Sequence, residues 1–157
     1  MNMDERQVSG KHDDLTQQSI GVFYDVYNEL GSGFLESVYR ESMRLALVQV
    51  GLVAETEVAI PVSFRGELVG VFRADLIVND TILIELKACE GLIHEHVSQT
   101  LHYLRATNIE VALLMNFGPT PRFKRLVMDN DLKKRGLKSV ASVSIGVKPF
   151  ADAEVCP

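Results

Sequence analysis

Apolar side chains recur at helical spacing over residues 14–30, through Ile20, Phe23, Tyr24, Tyr27 and Leu30. This predicts an amphipathic helix with Asp14 or Thr16 as N-cap and Gly31 as its stop. Gly31-Ser32-Gly33 reads as a turn, and residues 34–50 as a second helix closed by Gly51. Along one of its faces lie Leu35, Val38, Ser42, Leu45, Ala46 and Gln49, with Glu36, Tyr39, Arg40 and Met43 on an adjacent face. The period then switches to two: Thr56, Val58, Ile60, Val62 and Phe64 alternate with Glu55, Glu57, Ala59 and Ser63, as in a half-buried strand. Arg65-Gly66 is read as a hairpin turn, and strands are predicted over 68–78 and 81–89 around the turn-forming pair Asn79-Asp80. A helix over 94–105, with Val97, Leu101 and Leu104 inward, leads to an apolar strand over 109–117. The loop Gly118-Pro119-Thr120-Pro121 precedes a last strand over 122–128.

The order is α-α-β-β-β-α-β-β, and a helix between two strands implies a mixed sheet flanked by helices, an α/β (α+β) architecture. A chain of 157 residues fits one domain, placed at 14–130. Residues 1–13 and 136–157 read as loosely held tails, with an edge strand over 139–147 as the alternative for the second. No apolar run approaches the roughly 20 residues that span a bilayer, and the polar start MNMDERQVSGKHDD is unlike a secretory signal, so the expected address is the cytoplasm, with no membrane partner. Cys89 and Cys156 are expected as free thiols. A net charge of −5 offers nucleic acid no general attraction, so any phosphate contact must be local.

The third predicted strand, TILIELKAC, carries two charges in an otherwise apolar run. Glu85 and Lys87 are two apart and project from one face, where unpaired burial would be expensive. Asp75 interrupts the preceding strand in the same way. A two-residue loop at Asn79-Asp80 would set Asp75 opposite Ile84, on the face away from Glu85; a three-residue loop or one bulge sets it opposite Glu85 and brings Arg73 near Lys87. Only the second register converges the carboxylates, and a hard divalent cation such as Mg²⁺ would relieve their repulsion while leaving positions for water and a phosphate.

Asp75 followed across a hairpin by Glu85-Leu86-Lys87 resembles the Asp and (Asp/Glu)-X-Lys signature of the PD-(D/E)XK nuclease superfamily. Gly33-Phe34-Leu35-Glu36-Ser37-Val38-Tyr39 matches the motif of its GxxExxY family. Gln99-Thr100-Leu101-His102-Tyr103 is similar to the QxxxY element of the RecB-like branch, and Asn116-Phe117-Gly118 with 122–127 to the family's closing segment. The likeness covers about residues 20–128; the departure is Ala74 where the superfamily's proline precedes the Asp.

The resemblance implies a restriction-endonuclease-like core and a Mg²⁺-dependent nuclease, Mn²⁺ substituting, that hydrolyses phosphodiester bonds of nucleic acid, DNA before RNA. Asp75 and Glu85 would ligate the metal with Glu36 and the Leu86 carbonyl, and Lys87 would hold the attacking water or stabilise charge on the phosphoryl group. Gln99, Tyr103, Tyr39 and Arg73 would support the site, and Arg73, Arg105, Lys124 or Arg125 could touch the nucleic-acid backbone. A core this small and acidic would bind its substrate weakly unless it formed a homodimer or joined a larger complex. The alternative is a non-catalytic binding or assembly module that keeps the fold and an ion-binding acidic cluster. His94-Glu95-His96 with Cys89 suggests zinc less well, because helix neighbours two apart diverge.

Overall fold

The computed structural model describes residues 10–133. In it two helices, α1 (Asp13–Leu30) and α2 (Glu36–Gln49), precede the meander β1 (Ala54–Phe64), β2 (Glu67–Val78) and β3 (Ile82–Lys87). A third helix, α3 (His94–Arg105), leads to β4 (Val111–Asn116) and β5 (Arg122–Val127). The expected order is present, with ends displaced by a few residues. Apart from 10–13, the tails expected at 1–13 and 136–157 and the strand at 139–147 lie outside the described residues. Among these residues no helix is long and apolar enough to cross a membrane.

The five strands form one sheet in the order β1-β2-β3-β4-β5, antiparallel except for the pair β3 and β4, which α3 connects. Every residue of β3 and β4 is buried, because helices cover both faces of the centre. On one side Phe23 of α1 and Tyr39, Met43 and Leu47 of α2 pack on Leu76, Ile84, Leu86 and Phe117. On the other, Tyr103 and Leu104 of α3 pack on Ala74, Ile77, Leu83 and Ala112.

Three local expectations are corrected. Asp14 and Thr16 lie inside α1, whose N-cap position is His12 at φ 57 with no side-chain cap; Asp13 and Asp14 instead place negative charge in the first turn, where the helix dipole favours it. Gly31 does stop the helix, at φ 69 with its N–H on the Tyr27 carbonyl at 2.7 Å. The face of α2 that is buried carries Tyr39, Met43 and Leu47, while Leu35 is 76% exposed and Leu45 51%. The larger side chains fill the space beside Phe117, which hydrophobic spacing alone does not distinguish. In α3 the buried stripe is His96, Gln99, Thr100, Tyr103 and Leu104, with Val97 and Leu101 half-buried, because the helix packs partly against a polar site.

The hairpin turns fix the register. Arg65 and Gly66, at φ 50 and 80, join β1 to β2 by a two-residue loop. Asn79 and Asp80 take the same left-handed conformation, but Thr81 adds a third loop residue, so Val78 pairs with Ile82 and Leu76 with Ile84. Deleting Thr81 would move β3 by one residue and turn the apolar Ile82, Ile84 and Leu86 away from α2. Loss of a cooperative thermal transition, followed by circular dichroism, is the expected result; a variant melting like the parent would refute this role for Thr81.

The sheet also forks. The β2–β3 ladder has only the rungs Leu76↔Ile84, Ile77↔Leu83 and Val78↔Ile82. Before Leu76, β2 pairs with β1 alone, while Glu85, Leu86 and Lys87 pair with β4. At the same level the β1–β2 ladder passes from Thr56↔Leu76 to Val58↔Ala74, skipping Glu57, which sits at φ 50. Ala74 packs on the α3 side and Leu76 on the α1–α2 side, although residues two apart in a regular strand share a face. The strand therefore rotates at Asp75, and the fork opens there.

Candidate active site

Asp75 stands in the fork, and its backbone and side chain replace the next rung. Its Oδ2 accepts the Leu86 N–H at 2.8 Å, and its own N–H donates to Glu85 Oε1 at 3.1 Å. The two carboxyl groups are thereby brought together, as the three-residue loop requires. Glu85 is 5% exposed and Lys87 2%, so both charges lie inside the protein. Burial, followed by the charge of Asp75, pushes the Glu85 carboxyl well above the ordinary carboxylate range.

Glu36 arrives from the first turn of α2, and the GxxExxY segment has a local physical explanation. Gly33 adopts φ 109, which only glycine takes at little cost. Tyr39 donates its hydroxyl to the Gly31 carbonyl at 2.6 Å, receives the Phe34 N–H at 3.2 Å, and stacks on Phe117 at 4.2 Å. The tyrosine fixes the turn that delivers Glu36 and does not itself reach the acids. Burial raises the Glu36 carboxyl, with Asp75 adding to the effect and the Lys87 charge and an Ala88 backbone hydrogen bond opposing it.

On the other side of the sheet, Gln99 and Tyr103 of α3 are buried and joined by a side-chain hydrogen bond. Burial and the charges of Glu85 and Asp75 raise the Tyr103 phenol, so it remains a neutral donor. Sequence reasoning missed His96 as a group at this site: it is buried, its Nδ1 accepts the Ile93 N–H at 3.2 Å, and burial and the nearby Lys87 charge lower its affinity for a proton. The clue was the polar stripe 96, 99, 100, 103, at the spacing of one helix face. His94 is exposed and lies beside Ser98, so the two imidazoles diverge.

Arg73 is exposed and pairs with Ala59 on the arm of β2 that has left β3, so the expected approach to Lys87 is not made. Arg40 takes the place beside Asp75 instead, with Nη1 at 3.3 Å from Oδ1 and Nη2 at 3.5 Å from Glu57. Arg105 and Lys124 are exposed, whereas Arg125 is engaged with Asp13 at 3.2 Å and with the Lys11 carbonyl. The Leu86 group seen in use is its N–H, toward Asp75.

Asn116 and Gly118 hold the end of β3. The Asn116 side chain accepts the Cys89 N–H at 3.1 Å and donates to the Cys89 carbonyl at 2.9 Å, extending the ladder past Lys87. A Cβ on Gly118 would lie 2.0 Å from that carbonyl. Asn116→Ala should cost about 2–3 kcal/mol by leaving two buried backbone groups unpaired, read from urea unfolding. A loss under about 0.5 kcal/mol, the range of ordinary surface changes, would refute the assignment.

The donor set fits a hard cation: oxygens only, with burial penalising the charge that a metal would neutralise. Among the described residues no three His, Cys, Asp or Glu side chains already stand at metal-holding geometry. Asp75 and Glu85 are the converged pair, and Glu36 is near enough to feel Lys87 and Asp75.

No curated protein matches the chain. Among solved structures it is similar to the crystal structure of SSO0001, at 21% identity and TM-score 0.47, covering 76% of this chain. The chain spans 64% of the length of that protein. It is also similar to an alkaline exonuclease from Laribacter hongkongensis, at 12% identity and TM-score 0.42, covering 92% of this chain and 84% of the other. A family profile matches residues 13–126, which include α1, α2 and α3, the sheet up to β5 and the acids in its fork. The chain therefore belongs to the PD-(D/E)XK nuclease superfamily, with a mixed five-stranded sheet in the restriction-endonuclease-like order.

Proposed function

We propose that the protein is a divalent-metal-dependent nuclease of the GxxExxY family, in the RecB-like branch, and that it hydrolyses phosphodiester bonds of DNA. The observation that carries this reading is the meeting of Asp75 and Glu85 in the sheet fork, with Lys87 buried on the same strand. A structural ion pair would need one acid, whereas Lys87 acts electrostatically on both Glu85 and Glu36, and Asp75 meets Glu85.

Asp75 and Glu85 would hold Mg²⁺ or Mn²⁺, with Glu36 and the Leu86 carbonyl completing the shell. The bound cation would polarise a phosphoryl oxygen and make its water more acidic. Lys87 would position the attacking water and meet the negative charge that develops on the phosphoryl oxygens, its own side chain buried from solvent. Gln99 and Tyr103, joined by a hydrogen bond on α3, would orient a phosphate or the lysine with their neutral donors. The net charge of −5 favours action as a homodimer or within a larger complex.

The second reading, a non-catalytic module that keeps the fold, is favoured by the Arg40–Asp75 ion pair, which already neutralises one of the acids. Two measurements separate the readings. Saturating Mg²⁺ should raise the melting temperature of the parent, by an amount equivalent to about 2.7 kcal/mol at a hundred times Kd, and leave Asp75→Ala unchanged. Labelled single- and double-stranded DNA and RNA should then be offered with Mg²⁺, Mn²⁺ or EDTA. Metal-dependent cleavage of DNA is expected; metal stabilisation without cleavage of any substrate would move the assignment to the binding module.

A further inference from the structure

Arg40 was placed by sequence on the flank of α2, yet it is the residue that meets Asp75. Three acids lie at one level of the sheet: Glu57 on β1 at the skipped rung, Asp75 on β2 and Glu85 on β3. The guanidinium bridges the first two, at 3.5 Å and 3.3 Å, and its charge also reaches Glu36. Glu57 contributes from a left-handed backbone conformation rarely taken by a side-chain-bearing residue, in the place where a regular strand would have continued the ladder. Arg40 itself is 24% exposed at its side chain, and Glu57 55%, so the pair stands at the mouth of the fork, with Glu85 behind it.

Two cations cannot share Asp75 Oδ1 without repulsion. An arginine cannot release its charge by deprotonation, so its guanidinium opposes binding of another cation at that oxygen unless it moves away. We propose that Arg40 is the site's built-in counter-ion, occupying Asp75 in the metal-free protein and competing with the divalent cation for it. Metal loading and the Arg40–Asp75 ion pair are then linked: what the ion pair contributes to the metal-free fold is subtracted from metal affinity. Glu57 gives the displaced guanidinium an anchor, so Arg40 can release Asp75 without losing every partner. This inference rests on the proposed metal site at Asp75 and Glu85.

The test reads metal binding by thermal shift, without substrate, across a Mg²⁺ and a Mn²⁺ titration of the full chain. Arg40→Met should melt lower than the parent without metal, and reach half of its metal-induced shift at about fivefold lower cation concentration, the scale of a partly exposed ion pair. Arg40→Gln, which retains a hydrogen-bonding side chain beside Asp75, should move the midpoint in the same direction and serves if the methionine variant does not fold. Arg40→Lys should return the midpoint toward the parent value. Arg44→Met, which breaks only the exposed pair with Glu41, should leave it unchanged. Equal midpoints for parent, Arg40→Met and Arg40→Gln would overturn the competition while leaving the metal site standing. No thermal shift in any protein would overturn the metal site and the competition with it.

Discussion

Replacing Lys87 by methionine should slow metal-dependent cleavage by about 10²–10³-fold while leaving the protein folded. The two side chains have similar length, and Lys87 is 2% exposed, so methionine fills the same space without the charge. Under the proposed mechanism that buried charge acts on phosphoryl oxygens, and losing a single stabilising group of this kind costs about 10²–10³ in kcat. KM should change less than kcat, because the interaction strengthens as charge develops. Single-turnover cleavage of labelled DNA by parent and variant, with melting curves beside it, separates chemistry from folding. Cleavage by Lys87→Met within a few-fold of the parent would remove the lysine from the mechanism.

The second large effect concerns pH. Both Glu85 and Glu36 are raised above the ordinary carboxylate range, chiefly by burial. The folded protein therefore holds these protons more tightly than the unfolded chain does. The stability they contribute is complete below the unfolded value of about 4.3 and is lost as pH rises through the raised folded values. His96 and His102 are lowered by burial and give the opposite slope, but only up to their unfolded value of about 6.5. The carboxyls for their part make the metal-free protein lose stability as pH rises above about 4.3, a loss that Glu85→Gln should reduce. Glu85→Gln keeps the shape and removes the titrating group facing Asp75, Lys87 and Tyr103. It should be more stable than the parent at pH 8, by about 1.4 kcal/mol for each pH unit by which the parent carboxyl is raised. Mg²⁺ should flatten the pH dependence of the parent and have little effect on Glu85→Gln, because cation binding requires the ionised carboxylate. Urea unfolding at several pH values, with and without Mg²⁺, measures both. Parent and Glu85→Gln with the same dependence of stability on pH above about 4.3 would contradict the assignment of a buried, proton-retaining acid at Glu85.

Much of the fold was legible because its signals are local. Period-two alternation in β1, continuous apolar runs in β3 and β4, and turn chemistry at Arg65-Gly66 and Gly31 each depend on a few neighbouring residues. Sequence also picked out Glu85 and Lys87, since two charges in a strand buried on both faces are anomalous wherever the strand lies. The buried face of α2 was not legible because its stripe sets Tyr39 and Met43 beside the charged Glu36 and Arg40, and the choice belongs to Phe117, which is 78 residues beyond the Tyr39 it stacks on. In α3 the spacing pointed to Val97, Leu101 and Leu104, and the QxxxY resemblance to Gln99 and Tyr103; His96, buried on the same stripe, is what sequence missed.

By itself the sequence determined the elements, their order, and the identity of the charges that must be buried, because spacing and side-chain chemistry travel with the chain. It left the register as two alternatives, since a single loop residue, Thr81, decides which face Asp75 shares. Only the tertiary structure opened the sheet at Asp75, exchanged a ladder rung for carboxylate hydrogen bonds, carried Arg73 away and brought Arg40 in. Those outcomes depend on strand rotation and on a helix packing across the sheet, and such long-range geometry has no period in the sequence from which it could be read.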